Sequence, residues 1–104
     1  MTYELTVHAF EIGTDKESAN KVLEEASEAR EAAQQVRNCN PSNSCREYNC
    51  LDTCEELLNL ADELADVIQA ACNLAERYDI DLQAAMERCE RRNRDRGRYE
   101  CDFE

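Results

Sequence analysis

A chain of 104 residues suffices for one small domain, and with only 2 Gly and 1 Pro it has few natural breakpoints, so long helices are the first expectation. Its 24 Asp plus Glu against 12 Lys plus Arg leave a net charge of −12, which argues against nucleic acid and anionic lipid as partners. The hydrophobic fraction of 42% leans on alanine and there is no Trp, so a lone monomeric core would be thin; a homodimer or homotetramer is the expected way to complete it.

No apolar run approaches the ~20 residues needed to span a membrane. The start, Met1-Thr-Tyr-Glu-Leu-Thr-Val, is acidic and carries no signal-peptide pattern, so the expectation is a cytoplasmic protein with no membrane partner. There its 7 cysteines would be mostly reduced.

In chain order, residues 1–13 alternate loosely, with Tyr3, Leu5 and Val7 apolar, as in a short strand or an extended arm. Gly13 breaks this segment, and Thr14 or Asp15 can cap a helix after it. The first helix is predicted from Asp15 to Arg37, where Ala19, Val22, Leu23, Ala26, Ala29, Ala33 and Val36 recur at helical spacing. A Cys-rich loop over 38–54 comes next, marked by Pro41 among Asn and Ser. The second helix is predicted from near Leu51 or Asp52 to about Tyr78, with Leu57, Leu60, Ala61, Leu64, Val67, Ile68, Ala71, Leu74 and Ala75 as its stripe. Asp81 can cap a third helix over Leu82–Arg94, which carries Leu82, Ala85, Met86 and Cys89 on one side; Gly97 ends it and residues 98–104 read as a tail. The predicted fold is all-α: an antiparallel helical hairpin plus a third helix in a domain over 14–97, assembling into an oligomeric four-helix-bundle core.

Helical phase then places the acids. At ~100° per residue, Glu25 borders the first stripe beside Ala29 and Ala32, and Glu28 lies roughly 60° further out. On the second helix Glu63 borders the stripe beside Val67 and Leu74, and Asp66 again lies about 60° further out. Antiparallel packing would let the two pairs converge, at a cost that a hard cation with a preference for oxygen ligands would remove. With 24 acids in the chain, pairs at this spacing also arise as ordinary solvated helix acids, so phase alone leaves both readings open.

Glu24-Glu25-Ala-Ser-Glu28 followed by Glu63-Leu-Ala-Asp66 resembles the EExxE…ExxD signature of the MazG-like, all-α nucleoside triphosphate pyrophosphohydrolases. The flanks agree: Lys21-Val-Leu-Glu-Glu-Ala-Ser-Glu is similar to the family's first metal helix, Asp62-Glu-Leu-Ala-Asp-Val-Ile-Gln to its second, and Tyr78-Asp-Ile-Asp-Leu-Gln-Ala-Ala-Met to the turn and third helix. The resemblance covers about residues 14–99, although the segment between the motifs is long and cysteine-rich. It implies an enzyme that cleaves a nucleotide between its α and β phosphates, giving monophosphate and pyrophosphate. It further implies Mg²⁺, for which Mn²⁺ could substitute, on Glu25, Glu28, Glu63 and Asp66. Glu24 would be a supporting acid or a base that orients the attacking water. Arg88, Arg91, Arg92 and Asn93 are the candidates for binding the substrate's phosphates, or else arginines that favour a helix C-terminus.

Two further features compete with this reading. Cys39, Cys45, Cys50 and Cys54 could hold a structural Zn²⁺, but no CxxC pair is present, and free thiols are favoured over zinc or a loop disulfide. The acidic surface could instead belong to a catalytically silent helical module that binds a protein partner. Acids paired on the stripe margins favour the enzyme.

Overall fold

A computed structural model describes residues 1–39 and 55–99. They form three helices and no strand: α1 (Asp15–Cys39), α2 (Glu55–Arg77) and α3 (Leu82–Asp95). Asn38 and Cys39, expected to open the cysteine-rich loop, belong to α1. The expected onset of the second helix near Leu51 or Asp52, the rest of the loop with Cys45, Cys50 and Cys54 of its zinc alternative, and residues 100–104 lie outside the described residues. None of the described helices is long and apolar enough to cross a membrane.

Thr14, rather than Asp15, caps α1. The Glu17 amide donates to Thr14 Oγ1 at 3.1 Å while the Thr14 amide donates to Glu17 Oε1 at 2.8 Å, a reciprocal capping box that occupies two otherwise orphaned donors. Gly13 makes the entry possible by adopting φ +45, a left-handed conformation that residues with a Cβ rarely take.

α1 and α2 pack on each other, and α3 scarcely touches either. The pair runs antiparallel: Asp15 at the start of α1 meets Arg77 at the end of α2, while Glu25 and Glu28 meet Glu63. Among the described residues the buried apolar ones are all alanines, Ala29 and Ala32 on α1 with Ala70 and Ala75 on α2. Small side chains bring the two backbones close but bury little apolar area per residue. Of the larger members of the predicted stripes, Val22, Val36, Leu57, Leu60, Val67 and Leu74 are half-buried, while Leu23 at 68% exposure and Leu64 at 50% stay outside this seam. A two-helix contact covers a narrower band than the stripes occupy. The Cα radius of gyration, 16.6 Å, accordingly exceeds the ~13 Å of a compact chain of this length.

Residues 1–13 take the extended-arm form and cross the far end of the hairpin. The Phe10 amide donates to Asn73 Oδ1 at 2.9 Å, Gln69 Nε2 donates to the His8 carbonyl at 3.0 Å, and Ser18 Oγ donates to the Ile12 carbonyl at 2.9 Å. Arg77 completes the clasp, pairing with Asp15 and donating to the Gly13 carbonyl at 2.8 Å. Further out, Tyr3 and Leu5 of the arm line an open groove together with Met86 and Tyr99.

The α2–α3 turn is a Schellman motif. Asp79 sits at φ 56, its amide donates to the Glu76 carbonyl at 3.1 Å, and the Ile80 amide donates to the Ala75 carbonyl at 2.9 Å. Asp81 then caps α3 by accepting from the Ala84 amide at 3.1 Å. The same motif ends α3 at Gly97, φ 72, with the Gly97 and Arg98 amides on the Arg94 and Asn93 carbonyls.

Candidate metal and active site

The hairpin brings three acids together. Glu25 and Glu28 on α1 and Glu63 on α2 each offer a carboxylate oxygen, and these oxygens all lie within 4.8 Å of one another. Glu25 is buried, with 8% exposure, Glu63 is half-buried and Glu28 is open to solvent. This is the order that helical phase predicts for residues on and just beyond the stripe margin. Asp66 is exposed and stands outside the cluster, although on the same helix as Glu63.

Two oxygens define what the cluster lacks. Glu25 Oε1 and Glu63 Oε1 are buried and have no hydrogen-bond donor. Buried carboxylate oxygens without a donor are costly, and three carboxylates at this separation repel one another as well. The repulsion registers at Glu28, whose carboxyl is held above its ordinary value, first by the charge of Glu25, then by desolvation and by the charge of Glu63.

Lys21 is the one cation paired with the cluster among the described residues. Its Nζ lies 3.1 Å from Glu25 Oε2 and 3.5 Å from Glu24 Oε1, and both carboxylates hold its ammonium above the usual lysine value, the hydrogen bond to Glu25 most of all. Glu24 is thus exposed and engaged with Lys21, which links it to Glu25. The sequence motif presents Lys21 only as a flank of the first acidic cluster. Its spacing of i to i+4 from Glu25 is the signal that could have revealed the pairing.

Hard oxygen donors from two helices, with two of them buried and unpartnered, fit a divalent cation such as Mg²⁺. The basic candidates are elsewhere. Arg88, Arg91 and Arg92 are exposed on α3, and among the described residues no ion pair joins them to Glu25, Glu28 or Glu63. Asn93 is half-buried and donates to Cys89 Sγ at 3.6 Å and to Tyr99 Oη at 3.3 Å, so it ties the end of the chain to α3, with Arg94 stacked 5.8 Å from the same tyrosine ring.

An antiparallel helical hairpin with an EExxE helix facing an ExxD helix defines the class of all-α nucleotide pyrophosphohydrolases. Within that class, residues 5–93 match the family phosphoribosyl-ATP pyrophosphohydrolase, and the chain belongs to it. The family is related to the MazG-like enzymes that the motifs resemble. No curated protein and no solved structure gives a match.

Proposed function

We propose that the chain is a Mg²⁺-dependent hydrolase that cleaves a nucleotide between its α and β phosphates and releases pyrophosphate. The observation that carries this reading is the pair of buried, donor-less oxygens, Glu25 Oε1 and Glu63 Oε1, on facing helices of a chain in this family. The metal would be held by Glu25, Glu28 and Glu63, with Asp66 completing the set, and Mn²⁺ could replace it. When bound, the ion supplies positive charge to the phosphate oxygens as negative charge builds up on them.

The chain's own groups would divide the remaining work. Glu25 and Glu63, fixed by the alanine seam, keep their oxygens in place before substrate arrives, so little reorganisation is needed at the moment of reaction. Glu24, exposed beside the cluster, is the acid left to orient the attacking water. Arg88, Arg91, Arg92 and Asn93 would bind substrate phosphates.

The exposed Leu23, Leu64 and Ile68 support a homodimer or homotetramer in which a second hairpin covers the open side and forms a four-helix core. Phosphoribosyl-ATP, the substrate in the family's name, carries a triphosphate, as do the ordinary ribo- and deoxynucleotides.

A panel of these nucleotides with Mg²⁺, assayed for pyrophosphate, tests the proposal. Turnover of at least one of them is expected, falling by about 100-fold or more in Glu25→Gln and Glu63→Gln with helicity intact. A panel without pyrophosphate release, or variants with undiminished rates, would contradict it.

A further inference from the structure

We propose that Lys21 sets the metal preference of the site by holding Glu25 to a single-oxygen ligand. The assignment rests on the metal reading above and adds to it a residue that is neither ligand nor base. Lys21 lies one turn before Glu25, and its Nζ engages Oε2 at 3.1 Å, leaving Oε1 as the buried oxygen without a donor. Glu25 is more than nine-tenths buried, so its carboxylate has little room to turn away from that arrangement. Glu24 Oε1, 3.5 Å from the same ammonium, holds Lys21 from the other side.

An ammonium on Oε2 competes with an ion for that oxygen, so Glu25 gives both oxygens to one ion only by weakening its bond to Lys21. That constraint separates two common divalent ions. Mg²⁺ demands near-octahedral geometry and is satisfied by one oxygen per carboxylate, whereas Ca²⁺ takes more oxygens and readily binds a carboxylate through both. A lysine on Oε2 therefore disfavours Ca²⁺ relative to Mg²⁺ at a site whose other groups are oxygen ligands suited to either. The positive charge of Lys21 repels the two ions alike, so its plain electrostatic effect cancels from the ratio of their affinities. Only its hold on the Glu25 oxygen remains in that ratio.

Calorimetric titration of the full chain with Mg²⁺ alone and Ca²⁺ alone tests this in wild type, Lys21→Met and Lys21→Arg. Lys21 is 43% exposed at its side chain, so the helix tolerates both changes. The Mg²⁺-over-Ca²⁺ preference should fall by about 10-fold or more in Lys21→Met, in keeping with the loss of a group that orients a metal ligand. Lys21→Arg still offers Oε2 an N–H donor and should stay near wild type. If wild type binds and Lys21→Met moves both affinities by the same factor, Lys21 is only a counter-charge and the assignment fails while the metal site stands. If wild type binds neither ion, the metal reading fails and takes this assignment with it.

Discussion

Glu25 on α1 and Glu63 on α2 each bury one carboxylate oxygen, Oε1 in both, in a cluster where Glu28 completes a triad within 4.8 Å and no donor serves either atom. Two helices that pack through alanine would gain nothing from placing acids there as structural residues, because apolar side chains at the same positions would bury more area without the repulsion. The arrangement is a stability cost that a bound cation would offset.

That cost has a pH signature. The Glu28 carboxyl is raised above the ordinary 4.5, so the folded chain holds this proton more tightly than the unfolded one. Its contribution is fully present below the unfolded value and is lost as pH rises through the folded value. In EDTA, the melting temperature of wild type should fall relative to that of Glu28→Gln as pH climbs from below 4.5 to above the raised value. Parallel profiles for the two proteins would show that the carboxylates do not repel as argued.

Gly13 should resist substitution. A Cβ there would lie 1.8 Å from Glu17 Oε1 and would also strain a backbone at φ +45. Gly13→Ala must displace the Glu17 side chain from its capping box, and it should cost about 1–2 kcal/mol in urea unfolding.

Asn73 anchors the arm. It is 3% exposed, and its Oδ1 accepts from the Phe10 amide and from Gln69 Nε2, both at 2.9 Å. Asn73→Ala removes the acceptor of both bonds while Gln69 keeps the His8 carbonyl, so a loss of about 1 kcal/mol is expected. Limited proteolysis should then cut residues 1–13 faster than in wild type, whereas an unchanged cutting rate would mean that the arm is held by other contacts.

Asp79 offers a gain. It occupies the left-handed position of the Schellman turn, where glycine carries no Cβ penalty. Asp79→Gly should stabilise the chain by about 0.5 kcal/mol in the same unfolding assay, the relief of strain outweighing the added freedom of the unfolded chain.

Much of this architecture is legible in the residue pattern because local signals agree with each other. Thr14 with Glu17, Asp81 before Leu82 and Gly97 after the arginines mark helix ends, and two observed C-terminal ends fall within one residue of the expected ones: Arg77 for Tyr78 and Asp95 for Arg94. The margin acids follow from helical phase alone. What sequence does not show is set by long-range contacts. Nothing local pairs Phe10 with Asn73 across 63 positions, and nothing in the stripe of α2 says that Leu64 stays exposed while Ala70 is buried. The placing of Arg88, Arg91 and Arg92 relative to the acids depends on how α3 docks, and α3 scarcely touches the hairpin, so no strong pattern encodes it.

The most direct test of a cation site is Mg²⁺ binding, measured by calorimetry and by melting temperature in wild type and in Glu63→Gln. Wild type should bind the ion and melt higher in its presence. Glu63→Gln, which neutralises the α2 half of the cluster, should lose most of the binding while its metal-free melting temperature holds or rises. Binding that is indifferent to Glu63, or a wild type whose melting Mg²⁺ leaves unchanged, would contradict the claim that Glu25, Glu28 and Glu63 form a cation site.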